Sequence, residues 1–139
     1  MIEPDLSIAE LGRRLRRREA TSRQITAAPI AATDALEGAI HAFIRIEAAA
    51  AQADEEIALG IDRGPLHGIA YALKDIYDAA GLSTTCHSRL RLNHMARTDS
   101  AVTERFRNGG AILIGKLATH GFAFGGPSFD LPFPPARNP

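Results

Sequence analysis

Apolar residues recur at helical spacing near the start of the chain, at Ile8, Leu11 and Leu15, behind a Ser7-x-x-Glu10 sequence that has the form of a capping box. This pattern predicts a first helix from about Ser7 to Arg18. A looser stripe of Ile25, Ala32, Leu36 and Ile40 follows Thr21 and Gln24, a second capping-box pair, and predicts another helix. Pro29 lies within that stripe, and an interior proline costs a helix about 3 kcal/mol, so a break is expected near Ala28. His41–Ile46 reads as a short strand, and the alanine-rich run from Glu47 to Leu59 as a third helix.

Gly64 and Pro65 then turn the chain into an apolar run, Ile69 to Leu73, that ends on Lys74. Alternation in an extended strand puts Ile69, Tyr71 and Leu73 on one face and Ala70, Ala72 and Lys74 on the other, so the lysine emerges among small neighbours. A lysine there is either paired or a titrating group if it is buried, because a buried unpaired ammonium is costly. A surface lysine at a strand end is the plainer alternative. The polar stretch after Gly81, STTCHSRLRLNH, has no clear period. Asp99 or Ser100 caps a helix to about Asn108, Gly109 stops it, and Ala111–Gly115 forms a short apolar strand. Strand, helix, strand implies a right-handed crossover and a partly parallel sheet, hence an α/β class. Parallel strands need cover on both faces, so the sheet calls for more elements than these residues supply. The last thirteen residues hold five of the eight prolines and read as an extended connector.

The composition is that of a globular chain: 139 residues, 45% hydrophobic and 23% charged. Sixteen basic and sixteen acidic residues leave no net charge, so no overall field draws it to nucleic acid or a membrane surface. Five arginines, Arg13, Arg14, Arg16, Arg17 and Arg18, crowd the end of the first helix, where they complement its dipole; without interleaved aromatics they read as a solvated face. The lone Cys86 excludes an internal disulfide, and MIEPDLSIAE lacks the basic and apolar regions of a secretory leader, so a cytoplasmic setting is expected.

Three segments in order carry a resemblance: GPLHGIAYALKD, AGLSTTCHSR and DSAVTERFRNGGAILIGKLATHGFAFGG. Together they resemble the N-terminal part of the amidase signature family. The resemblance implies a serine hydrolase that cleaves carboxamide carbon–nitrogen bonds with a Ser, cis-Ser, Lys triad. Its lysine base matches Lys74. A lysine can activate a serine through a second hydroxyl without any histidine. The resemblance implies the N-terminal part of an α/β fold with helices packed on an incomplete mixed sheet. Within it, residues 1–63 form a mainly helical lead-in, 64–126 the lysine strand and crossover, and 127–139 the connector.

The family's two serines and its oxyanion hole lie in a Gly/Ser-rich signature, and no GGSS-like stretch occurs in these 139 residues. The chain is therefore expected to be a fragment that carries only the triad lysine and is inactive alone. Uncovered apolar surface is expected to make it self-associate. The FAFGG segment, with Ala123 and Phe124, resembles the piece that lines the acyl side of the substrate site; core packing by Phe122 and Phe124 is the alternative. Ala70 stands where the family usually has proline, Gly121 where it often has glutamate, and Pro29 inside a helix that is normally uninterrupted.

Other chemistry is weighed and set aside. Cys86 beside His87 could suggest a thiol nucleophile, but neighbours on an extended chain point apart. His67 is expected to make a structural hydrogen bond. The five histidines lack metal-ligand spacing and no phosphate loop is present, so no metal and no cofactor are expected. The partner implied is a small-molecule amide, with neither nucleic acid nor membrane. Two other readings remain. One is the A subunit of a tRNA-dependent amidotransferase from the same family, disfavoured because LATHGF stands where that protein usually reads TNMDEF. The other is a noncatalytic interaction protein that kept the half-fold.

Overall fold

A computed structural model describes residues 6–46, 50–126 and 131–138. Its elements run α1 (Ile8–Arg16), α2 (Ser22–Ile40), β1 (Phe43–Ile46), α3 (Ala51–Ala58), β2 (Ala70–Lys74), α4 (Ala101–Asn108) and β3 (Ile112–Leu117), with short 3-10 turns at Arg89–Arg91 and Gly121–Ala123. The expected residues begin these helices. Ser7 accepts the Glu10 N–H, Thr21 and Gln24 form a complete reciprocal box, and Ser100 caps α4 by accepting from Thr103 N–H. The Ser7 box is only half made, because the Glu10 carboxylate turns instead to Arg13 and Arg14.

Two expectations about α2 need correction. Pro29 does not split the helix, which continues through it to Ile40. The proline forfeits its own N–H bond, yet the full capping box at one end and the left-handed His41 cap, whose N–H donates to Glu37 O, at the other tie down both halves. His41 is that cap rather than part of the strand, which begins at Phe43. The predicted start of the third helix at Glu47 falls outside the described residues.

The described strands form one mixed sheet in the order β1-β3-β2. β2 pairs parallel with β3, as the α4 crossover predicts, while β1 pairs antiparallel on the other side of β3. Ala70 and Ala72 pack with Ile112, Ile114, Ala50 and Ala53 beneath α3, and Tyr71 faces the other way to stack on Phe106 of α4 at 4.3 Å. The alternation thus holds for Ala70, Tyr71 and Ala72, whereas Ile69, expected on the Tyr71 face, packs with the N-terminal helices. A second core cluster, Leu15, Ala20, Ile25 and Ile69 with Ile57, joins α1, α2 and α3 to the entry of β2. Arg13, Arg16, Arg17 and Arg18 are exposed, the solvated face expected, and Arg14 is half-buried; two of them also reach other segments, Arg16 pairing with Asp62 at 2.8 Å and donating to Gly64 O, and Arg18 donating to Ala58 O. Among the described residues no helix is long and apolar enough to cross a membrane.

Candidate active site

Lys74 is the last residue of β2, and the chain turns immediately after it. Its carbonyl accepts the N–H groups of Ile76 and Tyr77, which ends the strand. The side chain is exposed, and among the described residues its ammonium has no hydrogen-bond or ion-pair partner. Burial therefore does not constrain Lys74.

The buried lysine of the site is Lys116, 1% exposed on β3, which sequence reasoning did not single out. Its Nζ lies 3.1 Å from Asp75 Oδ1 and donates to Tyr77 O at 2.8 Å and to the Thr84 hydroxyl at 3.1 Å. The other Asp75 oxygen accepts the Thr85 N–H at 3.0 Å and the Thr85 hydroxyl. A buried ion pair tolerates desolvation only when its remaining donors and acceptors are satisfied, and here the loop provides those partners. The signal in the sequence was a lysine at an interior position of the apolar run AILIGKL, masked by ending that strand at Gly115.

The Lys116–Asp75 pair organises the loop that follows β2. Asp75 O accepts Cys86 N–H at 3.0 Å, and Thr85 Oγ1 accepts the backbone N–H of His87. Cys86 and His87 both adopt left-handed backbone, φ +50° and +51°, so the extended geometry assumed for them is wrong. Burial pushes the half-buried Cys86 thiol up. The His87 ring is fully buried, with Nδ1 against Thr119 O and Nε2 2.8 Å from Phe133 O.

Lys74 and His87 line one cavity of about 270 Å³ together with Thr119, His120, Leu131 and Pro135. The described part of the proline-rich segment, 131–138, therefore crosses the C-terminal end of β2, held at its far end by Arg137 N–H donating to Ile40 O at 2.7 Å. Ala123 and Phe124 lie just beyond β3; Phe124 is 88% and Phe122 54% exposed, which rules out core packing for these rings in this chain. His67 is buried elsewhere. It accepts Arg63 N–H through Nδ1 and sets Nε2 3.1 Å from Glu56, the structural role expected of it. Arg63, then Gln52, hold the Glu56 carboxyl down at about 2 by hydrogen bonds. Among the described residues no His, Cys, Asp and Glu cluster could hold a metal.

Comparison with known proteins identifies the family. The family model described as Amidase matches residues 23–139. The A subunit of the glutamyl-tRNA(Gln) amidotransferase of Geobacter metallireducens is 39% identical over 97% of this chain, which spans 29% of that relative. The structure of peptide amidase from Stenotrophomonas maltophilia superposes with a TM-score of 0.79 at 31% identity, over 86% of this chain and 26% of the other. The corresponding amidotransferase protein of Thermotoga maritima shares the fold, with a TM-score of 0.73 at 24% identity, over 99% of this chain and 29% of its own. With a mixed α/β sheet that superposes on these enzymes and a family match that starts within α2 and runs to the last residue, the chain belongs to the Amidase family.

Proposed function

We propose that this chain supplies the general base, Lys74, of an enzyme that hydrolyses the carbon–nitrogen bond of a small-molecule carboxamide. The observation that carries the reading is the division of labour between two lysines. Asp75 occupies Lys116, whereas Lys74, at the C-terminal end of a parallel strand in a cavity walled by segment 131–138, has no partner among the described residues. Ligands of α/β sheets gather at that end of the strands. In the proposed reaction the amine of Lys74 takes a proton, through a bridging hydroxyl, from a serine that attacks the amide carbon. The tetrahedral intermediate expels the amine with a proton returned along the same path, and water then releases the acid. Both serines belong to the Gly/Ser-rich signature absent from these 139 residues, so the chain alone does not turn over. Residues 64–126 form the unit that presents the base, and Ala123 and the exposed Phe124 face the substrate side. We place the enzyme in the cytoplasm.

The test is a chimera in which residues 23–139 replace the matching part of the S. maltophilia peptide amidase. The chimera is expected to release ammonia from a peptide amide, and Lys74→Ala to lower kcat by about 10⁴-fold or more with the fold intact by circular dichroism. Retained activity in a folded Lys74→Ala chimera would sink the assignment.

The amidotransferase reading keeps one observation in its favour, the 39% identity to the G. metallireducens protein over nearly the whole chain, against the LATHGF departure. The same segment grafted into that G. metallireducens protein separates the two. Support for amidation of glutamyl-tRNA(Gln), with no hydrolysis of free carboxamides by the first chimera, would transfer the function to the amidotransferase.

A further inference from the structure

His87 has no task in that chemistry, yet it is fully buried and tightly held beside the Lys74 cavity. Its backbone holds a left-handed φ, as does that of Cys86 before it, a conformation that costs a non-glycine residue about 1 kcal/mol or more and that persists only where its surroundings impose it. Here the imposing bonds are visible. Asp75 O takes Cys86 N–H, Cys86 O takes Phe122 N–H, and Thr85 Oγ1 takes His87 N–H.

The ring at the end of this scaffold faces two carbonyl oxygens, Thr119 O at Nδ1 and Phe133 O at Nε2, and it packs tilted against the Phe133 ring at 5.5 Å. A carbonyl only accepts. A neutral imidazole has one N–H and one lone pair, so it satisfies one of the two oxygens and turns its lone pair on the other; only the doubly protonated ring donates to both.

We propose that His87 is a proton-operated latch: as an imidazolium it clamps segment 131–138 across the Lys74 cavity, and on losing one proton it lets that segment go. The two costs oppose each other. Among the described residues no carboxylate touches the ring, so there its charge is balanced only by carbonyl dipoles, while the neutral ring leaves a buried acceptor facing an acceptor. Such a balance is what a switch requires. The charged and titratable groups around it are Lys74 at the end of β2 and His120 beyond β3, both on the same cavity, Arg137 on the clamped segment, Cys86 beside it, and Asp75, which reaches it through Thr85 and is neutralised by Lys116. The released segment would open the cavity that the proposed base occupies. The latch rests on that cavity but not on the chemistry assigned to Lys74.

The test reads the ring and the segment rather than turnover, so its failure leaves the assignment of Lys74 standing. In the 139-residue chain labelled with nitrogen-15, both His87 ring nitrogens are expected to carry protons at the acid end of a pH series and one proton to be lost as the pH is raised. Over the same range, exchange of the Arg137 amide, corrected for its intrinsic pH dependence, is expected to rise about tenfold, the equivalent of one hydrogen bond lost. His87→Gln should remove this pH dependence and His120→Gln should keep it. A ring with a single N–H throughout while Arg137 stays protected would overturn the latch, as would an unchanged pH response in His87→Gln. Should that variant not fold, the wild-type ring spectrum decides alone.

Discussion

Truncating either member of the Lys116–Asp75 pair leaves a buried charge with no counterpart, so Lys116→Met and Asp75→Ala are each expected to lower unfolding stability by about 3–5 kcal/mol, measured by urea titration. Lys74→Met, at an exposed site with no partner among the described residues, should change stability by less than about 0.5 kcal/mol in the same assay. The contrast separates a lysine that holds the fold from one available for chemistry. Acid titration offers a second measurement. Hydrogen bonds from Arg63 to Glu56 and from Arg16 to Asp62 hold both carboxyls at about 2, below their ordinary 4.5 and 3.8. Their stabilisation is complete above those ordinary values and fades as pH falls toward about 2. Urea midpoints should therefore decline through this window in the wild type and less steeply in Glu56→Gln; equal slopes would contradict the pairing. Lys74 was legible as the chemically suggestive residue because a charge ended an apolar strand. Its exposure was one of the two readings left open there, since the neighbours that decide burial come from distant segments such as 131–138. Lys116 was overlooked for the same reason: its partners lie 32 to 41 positions away across a loop without periodicity.

The helix starts were readable at the level of elements because caps are local. Ser7, Thr21 and Ser100 each bind an N–H three residues on. Pro29 was misjudged because the proline penalty is also local, whereas what keeps α2 continuous is anchorage at both ends. Replacing the proline by alanine restores a backbone donor and removes the ring clash, so Pro29→Ala is expected to stabilise the chain by about 1–3 kcal/mol, seen as a raised thermal midpoint. Gly110, between α4 and β3, should respond in the opposite direction. It has φ +70°, and a Cβ there would lie 2.4 Å from Cδ2 of His67, so Gly110→Ala is expected to cost about 1–3 kcal/mol by the same measurement. The parallel β2–β3 pairing followed from strand, helix, strand order. The antiparallel docking of β1 on β3 did not, since no turn links the two.

The whole molecule presents two free sheet edges among its described residues, at β1 and β2, and strongly exposed apolar side chains at Leu59, Leu90 and Phe124. Unpaired edges and apolar surface favour association, so sedimentation velocity is expected to show oligomers that grow with concentration. A single monomer peak up to high concentration would count against this. The order of the strands has a further consequence for biogenesis. Because the third strand in sequence is the middle one in space, the two strands made earlier have nothing to bond with until residues near 112–117 leave the ribosome. The nascent sheet must wait for its centre, and through that interval the helical N-terminal cluster is what the growing polypeptide can assemble first.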